Sequence, residues 1–201
     1  MTLNIKVYSD FVCPFCFLGK ETLSQAVKGK DVNIQWMPFE LRPEPSPRID
    51  PWKDSSKLNS WNNFIEPMAK KLGIDMKLPK LSPHPYTNLA FEGYHYAVEF
   101  GKGNEYVERV FRGFFEEELD IGKIEILSKL AEEIGLNKEK FSEVLNTRKY
   151  KDKQEEVLKQ AYEESSITAV PTIFIGDEVV QGITSKENLE EIIKRQLLNN
   201  N

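Results

Sequence analysis

The sequence predicts an α/β protein: a central mixed sheet with flanking helices, interrupted by an inserted all-helical domain. Three observations carry this expectation. Residues 3–39 read as strand, helix, strand; residues from Trp52 to about Lys151 read almost wholly as helix; and the last quarter closes as helix, two short strands and helix. The expected divisions are 1–50 for the first part of the sheet domain (βαβ), 51–151 for the helical insertion and 152–201 for the second part (αββα).

Taken in order, Leu3-Asn4-Ile5-Lys6-Val7-Tyr8 alternates apolar and polar, as a half-buried strand does. Phe17, Leu18, Leu23 and Ala26 follow roughly at helical spacing until Gly29 offers a stop. Residues 31–39 alternate again, and a strand, helix and strand this close imply parallel strands with a right-handed crossover. Four prolines between Leu41 and Pro51 (Pro43, Pro45, Pro47 and Pro51) preclude helix and central strand, so this stretch is expected as an extended surface connector.

Helices are expected over 59–72, 89–100, 106–119, 124–134, 138–146 and 153–164, with a second proline-rich loop through Pro79, Pro83 and Pro85 and with Asn137 as a cap. Thr172–Ile175 and Glu178–Gln181 read as strands joined tightly by Gly176-Asp177. Ser185 is placed to cap a final helix whose buried stripe is Leu189, Ile192, Ile193 and Leu197.

The only two cysteines, Cys13 and Cys16, sit where the first strand hands over to the first helix. Pro14 suits the first helical position, where its missing N–H costs nothing. Free N–H groups and the positive end of the helix dipole favour an anion there, and thiols so placed have pKa values from about 3.5 to 7.5, against roughly 8.5 for free cysteine. Cys16, one turn on, lies close enough to close a disulfide. The expectation is an exposed nucleophile at Cys13 and a resolving partner, Cys16, shielded one turn deeper. Pro14 and Phe15 bring no polar side chain to the pair; Asp10 is a candidate proton acceptor for Cys16, with a capping or surface role favoured.

Val170-Pro171, directly before a buried-looking strand, is unusual because proline cannot donate to a sheet ladder. A trans proline at an edge is one solution and a cis bond at the strand's start another. The cysteine pair and the closing αββα order favour cis.

Composition excludes several classes. A formal charge of -5 gives no global attraction to nucleic acid or anionic membrane. No apolar run approaches the roughly 18 residues needed to span a bilayer, and the first residues lack signal-peptide order, so a cytoplasmic location is expected. Two cysteines in 201 residues are no disulfide framework; in a reducing compartment such a pair is catalytic or metal-binding. A zinc set of Cys13, Cys16, His84 and His95 is disfavoured, because the histidines do not follow metal-ligand spacing and a proline-rich loop adjoins them. No metal is expected.

Ser9-Asp10-Phe11-Val12-Cys13-Pro14-Phe15-Cys16, Phe39-Glu40-Leu41-Arg42-Pro43, the segment from Phe114-Phe115-Glu116 to Asp120-Ile121-Gly122, and Ala169-Val170-Pro171-Thr172 together resemble the DsbA-like branch of the thioredoxin superfamily, its cytoplasmic FrnE-like members in particular. The resemblance spans nearly the whole chain. It implies a thioredoxin-like fold with a helical insertion, thiol–disulfide exchange with Cys13 as nucleophile and Cys16 as resolver, and a cis-Pro171 facing the pair. It also implies that the Val170 backbone pairs with an extended substrate, with Pro14 and Phe15 beside it. No resident cofactor is implied beyond the redox-active cysteines, though glutathione is admitted as a co-substrate. The partner expected is a protein or small molecule carrying a disulfide or dithiol. A homodimer would suit isomerase work, but no interface for one is legible.

The same architecture resembles kappa-class glutathione transferases and 2-hydroxychromene-2-carboxylate isomerases, which typically carry serine at the place of Cys13. A third reading is a peptide-holding module without catalysis, lined by Phe91, Tyr94, Tyr96, Phe100, Tyr106, Phe111, Phe114 and Phe115. Helical spacing makes most of these aromatics core instead.

Overall fold

A computed structural model describes residues 2–164 and 167–199; the ends of the expected domain spans, residues 1 and 201, lie outside the described residues. The chain divides into two compact units, residues 1–39 with 157–201, and residues 40–156.

The first unit is built on a four-stranded mixed sheet ordered β2-β1-β3-β4, with β1 at Leu3–Ser9, β2 at Val32–Pro38, β3 at Thr172–Ile175 and β4 at Glu178–Gln181. β1 runs parallel to β2 and antiparallel to β3, and β3 antiparallel to β4. Leu3, Ile5 and Val7 are buried, while Asn4 and Lys6 are exposed, so the period-two pattern sets the inward face of β1. Helix α1 (Pro14–Ala26) forms the crossover between β1 and β2 and packs against the terminal helix, α9 (Lys186–Asn199). Phe17, Leu18, Leu23 and Ala26 of α1 are buried, as are Leu189, Ile192 and Ile193 of α9. Leu197 is only half-buried; Gln196 takes the inward place and donates its amide to Asp177 in the β3–β4 turn. The Ser185 hydroxyl accepts from Asn188 N–H at 3.2 Å, capping α9 as its position suggests.

The second unit is helical. The 59–72 stretch is not one uniform helix: α2 (Ser55–Ser60) passes through a π-helical turn at 61–65 into α3 (Glu66–Leu72). Within that turn Trp61 and Ile65 are buried and Phe64 is exposed. Asp54 caps α2 through the Ser56 and Lys57 N–H groups. Helices α4 (Asn88–Glu99), α5 (Gly103–Phe115), α6 (Ile124–Glu133) and α7 (Lys138–Asn146) pack around an aromatic core; α8 (Lys151–Glu163) then carries the chain onward. Phe91, Tyr94, Tyr96, Tyr106, Phe111, Phe114 and Phe115 are buried, and Phe100 alone of that set is exposed, at 56%.

The proline-rich stretch after β2 belongs to this helical unit and is fastened to it by polar contacts. The Tyr86 hydroxyl donates to Ser46 O at 2.7 Å, His84 N–H to Ile49 O at 2.8 Å, and the Ser82 hydroxyl to the Asp50 carboxylate at 2.8 Å. A buried chain runs deeper: the Gln154 amide donates to Glu40 Oε1 at 3.1 Å and its oxygen meets His95 Nε2 at 3.0 Å. With the Gln154 nitrogen used by Glu40, its oxygen must accept, which assigns the proton to His95 Nε2.

His84 sits in its loop with both ring nitrogens unpartnered, edge-on to Phe114 at 5.1 Å; the nearby Pro79 carbonyl already accepts from the Trp52 indole at 2.8 Å. Burial lowers the pKa of each histidine to about 4. Between the ordinary value and about 4, the unfolded chain binds more protons than the folded one, so stability is present in full above pH about 6.5 and is lost as the pH falls toward 4. Denaturant unfolding between pH 7 and 4.5 should show this loss, up to about 3 kcal/mol per histidine. His84→Phe should flatten the slope without unfolding the protein; an unchanged slope contradicts a buried neutral His84.

Candidate functional site

Strand β1 ends at Ser9, and three residues carry the chain from there to Cys13, the residue that heads α1. Its backbone is extended, Pro14 occupies the first helical position, and the Cys16 and Phe17 N–H groups donate to Cys13 O at 3.0 and 3.3 Å. No side chain caps this helix. Its unpaired first-turn N–H groups therefore converge beside the first cysteine. Both cysteines are free thiols.

Cys13 is not exposed as its position suggested: it is 4% accessible, and Cys16 1%. Its neighbours in space account for this. Phe11 and Val12 before it are buried, and the Cys13 sulfur lies 3.7 Å from the Val170 carbonyl oxygen, covered by the loop that enters β3. Pro14 and Phe15 are half-buried and Val170 is buried.

Burial raises the Cys16 pKa well above the ordinary thiol value, and hydrogen bonding and charge at Cys13 push the same way. The Asp10 N–H and the Ser9 hydroxyl, both directed at the Cys16 sulfur, oppose the shift. That Ser9 hydroxyl is buried and has no nitrogen or oxygen partner, so the sulfur is the acceptor left to it. Asp10, expected at a cap or the surface, is 1% exposed: it stays within the handover loop, accepting from Val12 N–H at 3.3 Å through its carboxylate and from Cys13 N–H at 3.1 Å through its carbonyl.

The Val170–Pro171 peptide bond is cis. Pro171 O accepts from Gly182 N–H at 2.8 Å, and the Thr172 hydroxyl donates to Ala169 O at 2.6 Å, which ties this loop to the sheet. Gly19 is the point where α1 meets it: a Cβ there would stand 3.1 Å from Pro171 Cγ.

Cys13, Cys16, Val170 and Pro171 are thus brought into one neighbourhood, and Pro14 and Phe15 start the helix beside them. His84 and His95 belong to the other unit, each in its own packing. Among the described residues no set of three or more His, Cys, Asp or Glu side chains converges to hold a metal ion. Ser9 and Gly19 escaped the sequence reading. The inward phase of β1 marks Ser9 as buried, and Gly19 falls three positions after Cys16 on the same helix face, a place for a close approach.

The arrangement suits a thiol couple: two sulfurs one helical turn apart, one at the mouth of the helix and one held protonated by burial. Gly19→Val should push α1 off Pro171, at a cost of about 1–3 kcal/mol in unfolding free energy, and should slow any exchange at Cys13. Unchanged stability and thiol reactivity would show that this close approach is slack.

Comparisons with known proteins show the family and the fold. A profile of the DSBA-like thioredoxin domain matches residues 4–194. An uncharacterised protein of Bacillus subtilis (strain 168), YwbO, is 57% identical over 193 residues, which is 96% of each chain. Among solved structures, a probable DsbA oxidoreductase from Streptomyces coelicolor superposes with a TM-score of 0.84 at 21% identity, covering 97% of this chain and 90% of that one. A 2-hydroxychromene-2-carboxylate isomerase superposes with a TM-score of 0.78 at 20% identity, covering 98% and 97%. At these identities the structural likenesses speak for the fold.

Proposed function

The chain belongs to the family of DSBA-like thioredoxin domains, and from that membership we propose that it is a thiol–disulfide oxidoreductase acting through Cys13 and Cys16. The observation that carries the reading is the asymmetry of the pair. Cys13 heads an uncapped helix against the Val170 carbonyl, while Cys16 is kept as a thiol by burial one turn deeper.

The Cys13 thiolate attacks one sulfur of a substrate disulfide; that S–S bond breaks, a mixed disulfide forms and the second substrate sulfur leaves as a thiolate. Cys16 then loses its proton and attacks Cys13 Sγ, which releases the substrate as a dithiol and leaves the Cys13–Cys16 disulfide. The reverse sequence oxidises a dithiol. A high Cys16 pKa keeps the resolver quiet until the mixed disulfide has formed. The Ser9 hydroxyl and Asp10 N–H stabilise its thiolate when it does ionise, and the Asp10 carboxylate is the nearby candidate to take the proton. In this scheme the Val170 backbone pairs with an extended substrate, with cis-Pro171 as gate and Pro14 and Phe15 as the rim.

No helix among the described residues is long and apolar enough to cross a membrane. We place the protein in the cytoplasm, where a reducing thiol pool favours reductase or isomerase work over oxidation. Its substrate is a protein or small-molecule disulfide, and glutathione is the natural recycling thiol there. The competing reading, a glutathione-dependent isomerase or transferase, draws on the fold shared with 2-hydroxychromene-2-carboxylate isomerase. It gives Cys16 no role, whereas the asymmetric pair does.

Trapping separates the two. Cys16→Ser, incubated with oxidised glutathione, should retain one glutathione per chain on Cys13, visible by intact mass, because the resolving step is gone. Cys13→Ser should retain none and should lose disulfide-reductase turnover by at least about 100-fold. A Cys16→Ser protein that forms no adduct yet keeps a glutathione-dependent activity would establish the competing reading instead.

A further inference from the structure

Val170 covers Cys13, yet it makes no hydrogen bond of its own to the sheet. Its carbonyl faces the Cys13 sulfur at 3.7 Å, a weak contact, and among the described residues Val170 enters no other hydrogen bond. What keeps that carbonyl in place lies on either side of it. The next oxygen, Pro171 O, accepts from Gly182 N–H at 2.8 Å, and the preceding one, Ala169 O, accepts from the Thr172 hydroxyl at 2.6 Å. Each peptide unit is planar, so a bond to its oxygen fixes the whole unit. The ring of Pro171 removes one more rotation by locking its own φ. The Val170 carbonyl is thereby slung between two tied peptides.

The two ties differ in kind. The Gly182 bond continues the β3–β4 ladder and comes with the sheet. The Thr172 bond belongs to a side chain. Thr172 is the first residue of β3, opposite Tyr8 of β1 on one side and Gln181 of β4 on the other, so its backbone is an anchored point. It is fully buried, where a hydroxyl without a partner is costly, and its hydroxyl turns back three residues to Ala169 O. A valine of the same shape would suit a buried strand position at least as well. The hydroxyl is the part of this residue that the strand does not need.

We propose that Thr172 is a positioning residue for exchange at Cys13: through Ala169 O it holds the Val170 carbonyl over the sulfur, limits the access of small thiol reagents and presents the Val170 backbone already ordered to an extended substrate. Its part in turnover rests on the exchange reaction proposed above; its hold on the cover rests on the geometry alone. Loosening the cover acts in opposite senses on two kinds of reagent. A small one gains access, because the loop opens more often. An extended one has to order the loop as it binds, and so binds more weakly.

The test uses the full chain carrying Cys16→Ser, so that Cys13 is its only thiol, and follows alkylation by iodoacetamide at one pH. Thr172→Val should raise the rate by at least about tenfold. Thr172→Ser, which restores the hydroxyl, should return it to within about twofold of the parent. Thr22→Val is the control: it removes another buried hydroxyl of the same unit, the one that donates to Leu18 O at 3.1 Å, and should leave the rate unchanged. Thr172→Ala set against Thr172→Ser repeats the comparison in a smaller side chain should the valine variant not fold. With both cysteines present, Thr172→Val should raise KM for a peptide disulfide by at least about fivefold with kcat little changed, whereas a simple loss of folded protein lowers kcat and leaves KM alone. Alkylation no faster in Thr172→Val or Thr172→Ala than in Thr172→Ser, or raised as much by Thr22→Val, overturns the proposal. An unchanged KM in an active Thr172→Val protein overturns it as well. Faster alkylation in a protein that exchanges no disulfide upholds the hold on the cover and removes the exchange reaction instead.

Discussion

In the pairing of β1 with β3, Tyr8 stands opposite Thr172, so the chain leaving β1 and the chain entering β3 emerge side by side at one end of the sheet. Everything at the site depends on that antiparallel register. It brings Cys13 and Val170, 157 positions apart in sequence, within 3.7 Å of contact, and it sets α1 down on Pro171 at Gly19. A slip of one residue would turn Val7 and Ser9 outward and carry the cysteine loop away from its cover. The buried alternation of Leu3, Ile5, Val7 and Ser9 holds the register, and so the hydrophobic pattern of one strand is also the device that assembles the chemistry.

The sulfurs then differ through their depths and neighbours, although their residue types are the same. Cys13 sits where helical N–H groups have no intrahelical partner, and Cys16 sits beneath it, where loss of a proton is opposed by burial and eased by one hydroxyl and one amide. A couple built this way would carry its own order of events, because burial holds the inner sulfur as a thiol. For the proposed exchange, the low accessibility of Cys13 requires the Val170 loop to give way or the substrate to enter along it.

Much of the fold was legible because its signals are local. Alternation in β1, the Cys13-Pro14 helix start, the Gly176-Asp177 turn and the Asn137 and Ser185 caps each follow from a few neighbouring residues, and the structure shows each of them. What escaped was non-local. The π-helical turn at 61–65 leaves no mark in the helical spacing of its own residues; the burial of Cys13 and Asp10 draws on segments distant in the chain; and Ser9 gains meaning only beside Cys16. The proline-rich stretch was legible as a connector, but the hydrogen bonds from Tyr86, Ser82 and His84 that fasten it could not be read from its own residues.

The central claim is that Cys13 and Cys16 form a reversible redox couple, and equilibration of the protein against defined ratios of reduced and oxidised glutathione tests it most directly. The account predicts a single two-electron transition to an intramolecular disulfide, with a potential between about -270 mV, as in thioredoxin, and about -120 mV, as in DsbA. A cytoplasmic reductase should fall toward the first value. A protein whose two thiols stay reduced across the whole range, or that accumulates only glutathione adducts without ever closing the pair, would contradict it.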